Sequence, residues 1–206
     1  MKLYTTTNAP SPARVQFFMA EKGIEIPRQQ VNLMKGEHRT PEYRRIAINS
    51  RVPALELDDG TTLCESMTIC RYLEDLHPSP DLFGTTPLER ARIDMWIRVI
   101  EGTLMLPMAN VFRHTHPALK ALEDQVPEFG EKQRGVVQKR LLLLEKQIAG
   151  RDYLAGDRFT MADIAGWVAL TYFSKGARIP IPEECAGVNA WLRRAGERPA
   201  AKFAFA

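Results

Sequence analysis

The stretch Thr5-Thr6-Thr7-Asn8-Ala9-Pro10-Ser11-Pro12-Ala13-Arg14 follows directly on a short strand pattern at Leu3-Tyr4 and carries hydroxyl or amide groups at Thr5, Thr6, Thr7, Asn8 and Ser11. Donors held at a strand exit can stabilise an anion as it forms. Ser11 followed by Pro12 also reads as a helix start, with Ser11 as N-cap and Pro12 in the first turn. Glu65-Ser66 opens another helical pattern after a strand. Ser66 is placed to cap that helix, and the same geometry serves a ligand: the helix N-terminus suits a carboxylate and Glu65 suits an ammonium. Together they would take an α-amino acid head group. Pro53, within Asn49-Ser-Arg-Val-Pro-Ala-Leu-Glu-Leu57, stands where a strand should begin, and proline has no N–H for a ladder. It marks a turn into the strand, either trans or with a cis Val52–Pro53 bond that leaves the Val52 backbone open to an extended peptide.

The remaining polar candidates are fewer. His38-Arg39 precedes a short helix and is either a solvated loop or a clamp for an anionic group. His114 and His116 do not share a helix face, and no third ligand lies near them, so they read as helix-end residues or as part of a polar wall. Thr160-Met-Ala-Asp163 has capping-box spacing and a structural purpose. The three cysteines Cys64, Cys70 and Cys185 form no C-x-x-C pair and read as buried, inert thiols.

Two kinds of pattern position these residues. Up to residue 80 the order is β-α-β-α-β-β-α: a strand at Leu3-Tyr4, a helix over Pro12–Lys22 ending at Gly23, and a strand over Gln30–Leu33. A short helix opened by Thr40-Pro41 follows. Strands over Pro53–Leu57 and Thr61–Leu63 are joined by Asp58-Asp59-Gly60, and a helix runs over Ser66–Leu76. After a Pro-rich linker over 77–87, the pattern is helical throughout: Leu88 to about Arg113, Glu128 to Ala149, Met161 to Phe173 and Val188 to Ala195. The expected architecture is an α/β domain over 1–80 followed by an all-helical domain over 87–206.

The 206 residues are 45% hydrophobic and 26% charged, which suits a globular protein with a sizeable core. The net charge of +3 is spread without a basic stripe, which speaks against nucleic acid as partner. Ile164–Phe173, the longest uncharged apolar run, is about half the ~20 residues of a membrane span. Met1-Lys-Leu-Tyr4 turns polar at Thr5 without an apolar leader, so the expected location is the cytoplasm.

In this order and spacing the motifs resemble the glutathione transferase family over essentially the whole chain, most specifically in RVPALELDDGTTLCESMTICRYLE, with FTMADI agreeing. The resemblance implies a thioredoxin-like glutathione-binding domain, then a helical domain forming the electrophile side, in a cytoplasmic homodimer that serves detoxification. It implies that Val52 pairs with the cysteinyl part of glutathione beside cis Pro53, that Glu65 and Ser66 bind the γ-glutamyl head, and that His38 and Arg39 approach the glycine carboxylate. The family often has glutamine where this chain has Arg51, which puts a charge at that contact. Glutathione enters as co-substrate and no metal is implied.

The thiol-activating donor departs from the family patterns. Tyr4 is early for the tyrosine-type classes, and no cysteine precedes Cys64. The serine-type position, four or five residues before Arg14, holds Pro10 or Ala9. Ser11 and Asn8 are the leading candidates, with Thr7 behind them. KLYTTTNAPSPARV further resembles an atypical bacterial and fungal, serine-type-like subgroup that includes a member using a water held by a serine and a histidine of the helical domain. That directs attention to His114 and His116, although no serine lies between Ser79 and Ser174. Met105, Met108, Phe112 and Phe173 read as cleft or core residues. The implied activity is conjugation of glutathione to a small hydrophobic electrophile; the alternatives are glutathione-dependent disulfide reduction and a non-enzymatic binding protein of the same fold.

Overall fold

A computed structural model describes residues 1–206. Contacts divide it into one unit of Met1–Leu82 with Arg198–Ala206, and a second of Phe83–Glu197.

In the first unit, β1 (Lys2–Thr5), β2 (Arg28–Gln30), β3 (Ala54–Glu56) and β4 (Thr62–Cys64) form one sheet in the order β2-β1-β3-β4. β1 runs parallel to β2 and antiparallel to β3, and β4 is antiparallel to β3. The helices are α1 (Pro10–Lys22), α2 (Pro41–Ile46) and α3 (Ser66–Leu76), with a 3-10 turn at Glu37–Arg39. Leu3 and Leu55 from the sheet, Val15, Phe17 and Phe18 from α1, and Ile69 and Leu73 from α3 are fully buried. α1 stops at Gly23, whose φ of 63° is the left-handed turn glycine adopts without penalty. α2 starts as the sequence indicates, with the Tyr43 N–H donating to Thr40 Oγ1 and Pro41 in the first turn.

Three local expectations are corrected here. α1 begins two residues early, at Pro10, with Ala9 at the N-cap. Pro10 has the fixed φ and missing N–H that suit a first helical residue, so Ser11 lies inside the first turn and is not the cap. Likewise Glu65 holds the N-cap position of α3 and Ser66 is the first helical residue. The second strand is Arg28–Gln30, not Gln30–Leu33. The Val31 N–H still reaches the Thr5 carbonyl, after which the backbone leaves the sheet while Val31 and Leu33 pack into the Tyr4-Tyr43 cluster.

The last nine residues, expected in the helical domain, pack with the first unit. Arg198 makes a two-pronged ion pair with Glu21 of α1, at 2.6 Å for each bond. With its amide turned to satisfy both ends, buried Gln16 donates to the carbonyls of Phe203 and Ala206 and accepts from Thr5 Oγ1. The linker is tied down by Lys22, whose ammonium meets Glu74 at 2.8 Å and donates to the Pro80 carbonyl at 2.7 Å.

The second unit contains α4 (Pro87–Ile100), α5 (Leu106–Thr115), α6 (Pro127–Ile148), α7 (Met161–Gly176) and α8 (Ala186–Gly196). α4 and α5 are the single long helix of the sequence pattern, interrupted by a π-helical turn at Glu101–Met105. Pro107 explains the interruption: it has no N–H to give the Thr103 carbonyl, and a widened turn accommodates the loss. Thr160 and Asp163 form the expected capping box at α7. The Asp163 carboxylate also accepts from the Leu154 N–H and from Trp191 Nε1, both at 2.9 Å, so one buried side chain joins a loop, α7 and α8. α8 has no cap of its own; Glu145 of α6 receives the Gly187 and Val188 N–H groups at 2.9 and 2.8 Å. Met108 and Phe173 lie in this core, which removes them from the candidate cleft residues.

Candidate active site

The strand register gathers the candidate residues of the first unit at one end of its sheet. Thr5 pairs with Gln30 in parallel and Tyr4 pairs with Ala54 antiparallel, while Ala54 pairs with Cys64. The loop leaving β1 (6–9), the loop leaving β2 (31–39), the segment entering β3 (47–53) and the residues leaving β4 (65–66) therefore emerge at the same edge. Asn8, Ser11, His38, Arg39, Arg51, Val52, Pro53, Glu65 and Ser66 all belong to those segments or to the helix starts that follow them. α1 and α3 both begin at this edge, and their positive dipole ends favour anions there.

Within the first loop the five polar side chains separate. Thr5 is fully buried and its hydroxyl is taken by Gln16. Asn8 is exposed and sits at φ 53°, a left-handed position that asparagine tolerates. Ser11 is half-buried, and its Oγ lies 3.5 Å from Nη2 of the buried Arg14 guanidinium. Pro10 and Pro12 have no N–H, so Ser11 supplies the backbone donor of the first turn's start. Tyr4 is turned away, its hydroxyl donating to Glu56 Oε2 at 2.9 Å.

The segment entering β3 is held from both sides. The Arg51 N–H donates to Asn49 Oδ1 at 3.1 Å, and its carbonyl accepts from the Tyr43 hydroxyl at 2.9 Å. The Val52–Pro53 bond is cis, and neither the N–H nor the carbonyl of Val52 is used within the chain. Asn49 also donates to Glu65 Oε1 at 2.8 Å, linking this segment to the start of α3. Glu65 adopts φ 69° and ψ 119°, which swings its carboxylate to Asn49 instead of back over the helix. Ser66 is 2% exposed, and its hydroxyl has no partner in the chain. A buried hydroxyl without a partner costs about 1–3 kcal/mol, which makes Ser66 a candidate ligand group at this end of the sheet.

At the other flank Arg39 Nε donates to His38 Nε2 at 3.2 Å. Burial, followed by the guanidinium charges of Arg39 and Arg51, holds the His38 pKa below its ordinary value. The positive charges of Arg39 and Arg51 thus both act on His38. Asn49 and Tyr43 are the residues that sequence reasoning missed. Asn-Ser next to Arg-Val-Pro was a turn signal for Asn49; Tyr43 carried no sign beyond helical spacing.

The family-model match covers residues 10–76 for "Glutathione S-transferase, N-terminal domain" and 107–194 for "Glutathione S-transferase, C-terminal domain". Glutathione S-transferase 2 of Saccharomyces cerevisiae is 36% identical over 98% of this chain and 88% of its own. The chain belongs to the glutathione S-transferase family. Maleylacetoacetate isomerase of Pseudomonas aeruginosa is 34% identical over 80% of this chain and 77% of its own. A glutathione S-transferase domain-containing protein of Marinobacter aquaeolei VT8 superposes with a TM-score of 0.90 at 37% identity, covering 98% of this chain and all of that one. The fold is therefore that of a glutathione S-transferase: a thioredoxin-like domain followed by a helical one.

Two other glutathione S-transferase expectations change on this structure. His114 Nδ1 accepts the Val126 N–H at 3.0 Å and His116 Nδ1 accepts the Ala118 N–H at 3.2 Å. The His114 ring meets Phe129 edge-on and the His116 ring lies tilted against Phe112, so both histidines fasten the loop between α5 and α6. Neither is free at Nδ1 to hold a water. Cys70 and Cys185 are buried, and burial raises both thiol pKa values; Cys64, expected to be buried as well, is half-exposed on the edge strand β4. No helix is long and apolar enough to cross a membrane.

Proposed function

We propose that this glutathione S-transferase conjugates the thiolate of glutathione to small hydrophobic electrophiles. The observation that carries the reading is the set of idle polar groups at one sheet edge: the Val52 N–H and carbonyl, and the buried Ser66 hydroxyl. In this reading Val52 pairs with the cysteinyl backbone as an added strand would, with cis Pro53 shaping the turn. Ser66 and the α3 N-terminus take the γ-glutamyl carboxylate while Glu65 takes its ammonium. His38, Arg39 and Arg51 take the glycine carboxylate. The thiol is then directed at the loop leaving β1.

A free thiol with a pKa of about 8.5 is only a few per cent ionised at neutral pH. A shift of about two units needs roughly 2.7 kcal/mol of preferential thiolate stabilisation. Ser11 and Asn8 are the proposed donors. Arg14 donating to Ser11 Oγ leaves the serine proton for the sulfur, and the α1 N-terminus adds to the field. Thr7 stands behind them as an exposed third. No metal enters this chemistry. A homodimer, a cytoplasmic location and a role in detoxification complete the proposal, the first of them open to sedimentation.

Calorimetric titration with glutathione, followed by assays with a chlorodinitrobenzene and with maleylacetoacetate, tests the activity. Absence of binding at millimolar glutathione contradicts it. Strong disulfide reduction with negligible conjugation would favour the reductase, and binding without any turnover would favour a carrier.

A further inference from the structure

We infer that Arg39 fixes His38 in its Nδ1–H tautomer, so that His38 meets the glycine carboxylate of glutathione as a neutral hydrogen-bond donor; the ligand half rests on the function proposed above. An arginine Nε–H can only donate, so the 3.2 Å contact from Arg39 makes His38 Nε2 an acceptor and therefore unprotonated. A neutral imidazole carries one proton, which must then lie on Nδ1. That nitrogen is buried and has no acceptor in the chain. The turn Glu37–Arg39 thus builds a directed donor that lacks only a partner.

Forming the imidazolium would need a proton on Nε2, directly against the Arg39 N–H. Burial opposes that charge, as do Arg39 on the same turn and Arg51 on the segment entering β3. Glu37 on the same turn is directed to the Asn32 N–H, which its Oε2 accepts at 2.7 Å, and the charges that act on His38 are those of Arg39 and Arg51. The two arginines supply the positive charge and His38 supplies direction. Arg39 is thereby a positioning residue as well as a charge. Glutathione affinity should then not climb as the pH falls through about 6.5, whereas a cationic His38 would make it do so.

Long-range nitrogen–proton NMR spectra of the labelled protein, which has four histidines, read the tautomers directly. His114 and His116 accept at Nδ1 and are internal references for the opposite tautomer. The expected result is Nδ1–H for His38 alone of these three, with a titration midpoint below the ordinary histidine value of about 6.5, and loss of that preference in Arg39→Met. An Nε2–H tautomer in the unmodified protein, or a titration midpoint at or above about 6.5, overturns the inference. Because an asparagine amide can stand in for Nδ1–H, His38→Asn should bind glutathione within roughly threefold of the parent while His38→Gln weakens it by about tenfold. The reverse order overturns the ligand half. If no form of the protein binds glutathione, the proposed function falls with that half, and the nitrogen spectrum still decides the tautomer.

Discussion

Ser66→Ala separates a ligand group from a structural one, because the hydroxyl it removes is buried without a partner. Thermal unfolding should show the free variant as stable as the parent or up to about 1 kcal/mol more so, while calorimetry shows glutathione bound about tenfold more weakly. Loss of stability with affinity unchanged would make the hydroxyl structural. Ser11 no longer has a capping duty, since Ala9 occupies that position. Ser11→Ala should therefore leave the melting temperature nearly unchanged and raise the pKa of the bound thiol by about one unit, read from its ultraviolet thiolate absorbance against pH. The same shift in Asn8→Ala, with Ser11→Ala inert, would move the assignment to Asn8. At Glu89, the Thr85 N–H and then the Arg158 guanidinium hold the carboxyl down at about 2, against 4.5 for the free group. That depressed value contributes stability above pH 4.5 that is lost as the pH falls toward about 2. In Glu89→Gln the melting temperature should fall less steeply over that interval.

Helix packing leaves little slack in the second unit. A Cβ added at Gly166 of α7 would lie 2.7 Å from Cη2 of Trp191, and that indole is fully buried with its Nε1 tied to Asp163. Gly166→Ala should cost roughly 1–3 kcal/mol in denaturant unfolding, and an unchanged midpoint would mean that α8 can shift. Elements with strong periodicity or a proline–glycine signature were legible in the sequence. α3 matches residue for residue, and α1 ends at Gly23 as expected. The start of α1 was misread by two residues, and Ser66 was read as the cap of α3 when it is the first helical residue, because serine is a good N-cap by type. Side-chain chemistry alone does not reveal that Pro10 pre-empts the first turn or that Glu65 takes a positive φ. β2 was displaced because burial of Val31 and Leu33 mimics a strand pattern after the backbone has left the sheet. The basic flank and the Glu65-Ser66 pair were legible as residue types. Asn49 and Tyr43 were not, since their importance comes from what they hold: the backbone on either side of Arg51.

Over the whole chain, the polypeptide leaves the first unit at Leu82 and returns to it at Arg198, a closure no local pattern announces. The returning segment buries Ala200, Ala201 and Ala204 and pairs Arg198 with Glu21, which is itself largely buried. Arg198→Met should therefore destabilise the protein by roughly 1–3 kcal/mol through the carboxylate it strands. Through Gln16 the same segment bears on Thr5, the residue from which the candidate thiol-activating loop departs. Everything proposed for the activity converges on the sulfur that this loop would face. The direct measurement is an ultraviolet pH titration of glutathione bound to the protein. The account predicts a thiol pKa about two units below its free value near 8.5. A bound thiol that titrates at its free value, or no binding at millimolar glutathione, would contradict it.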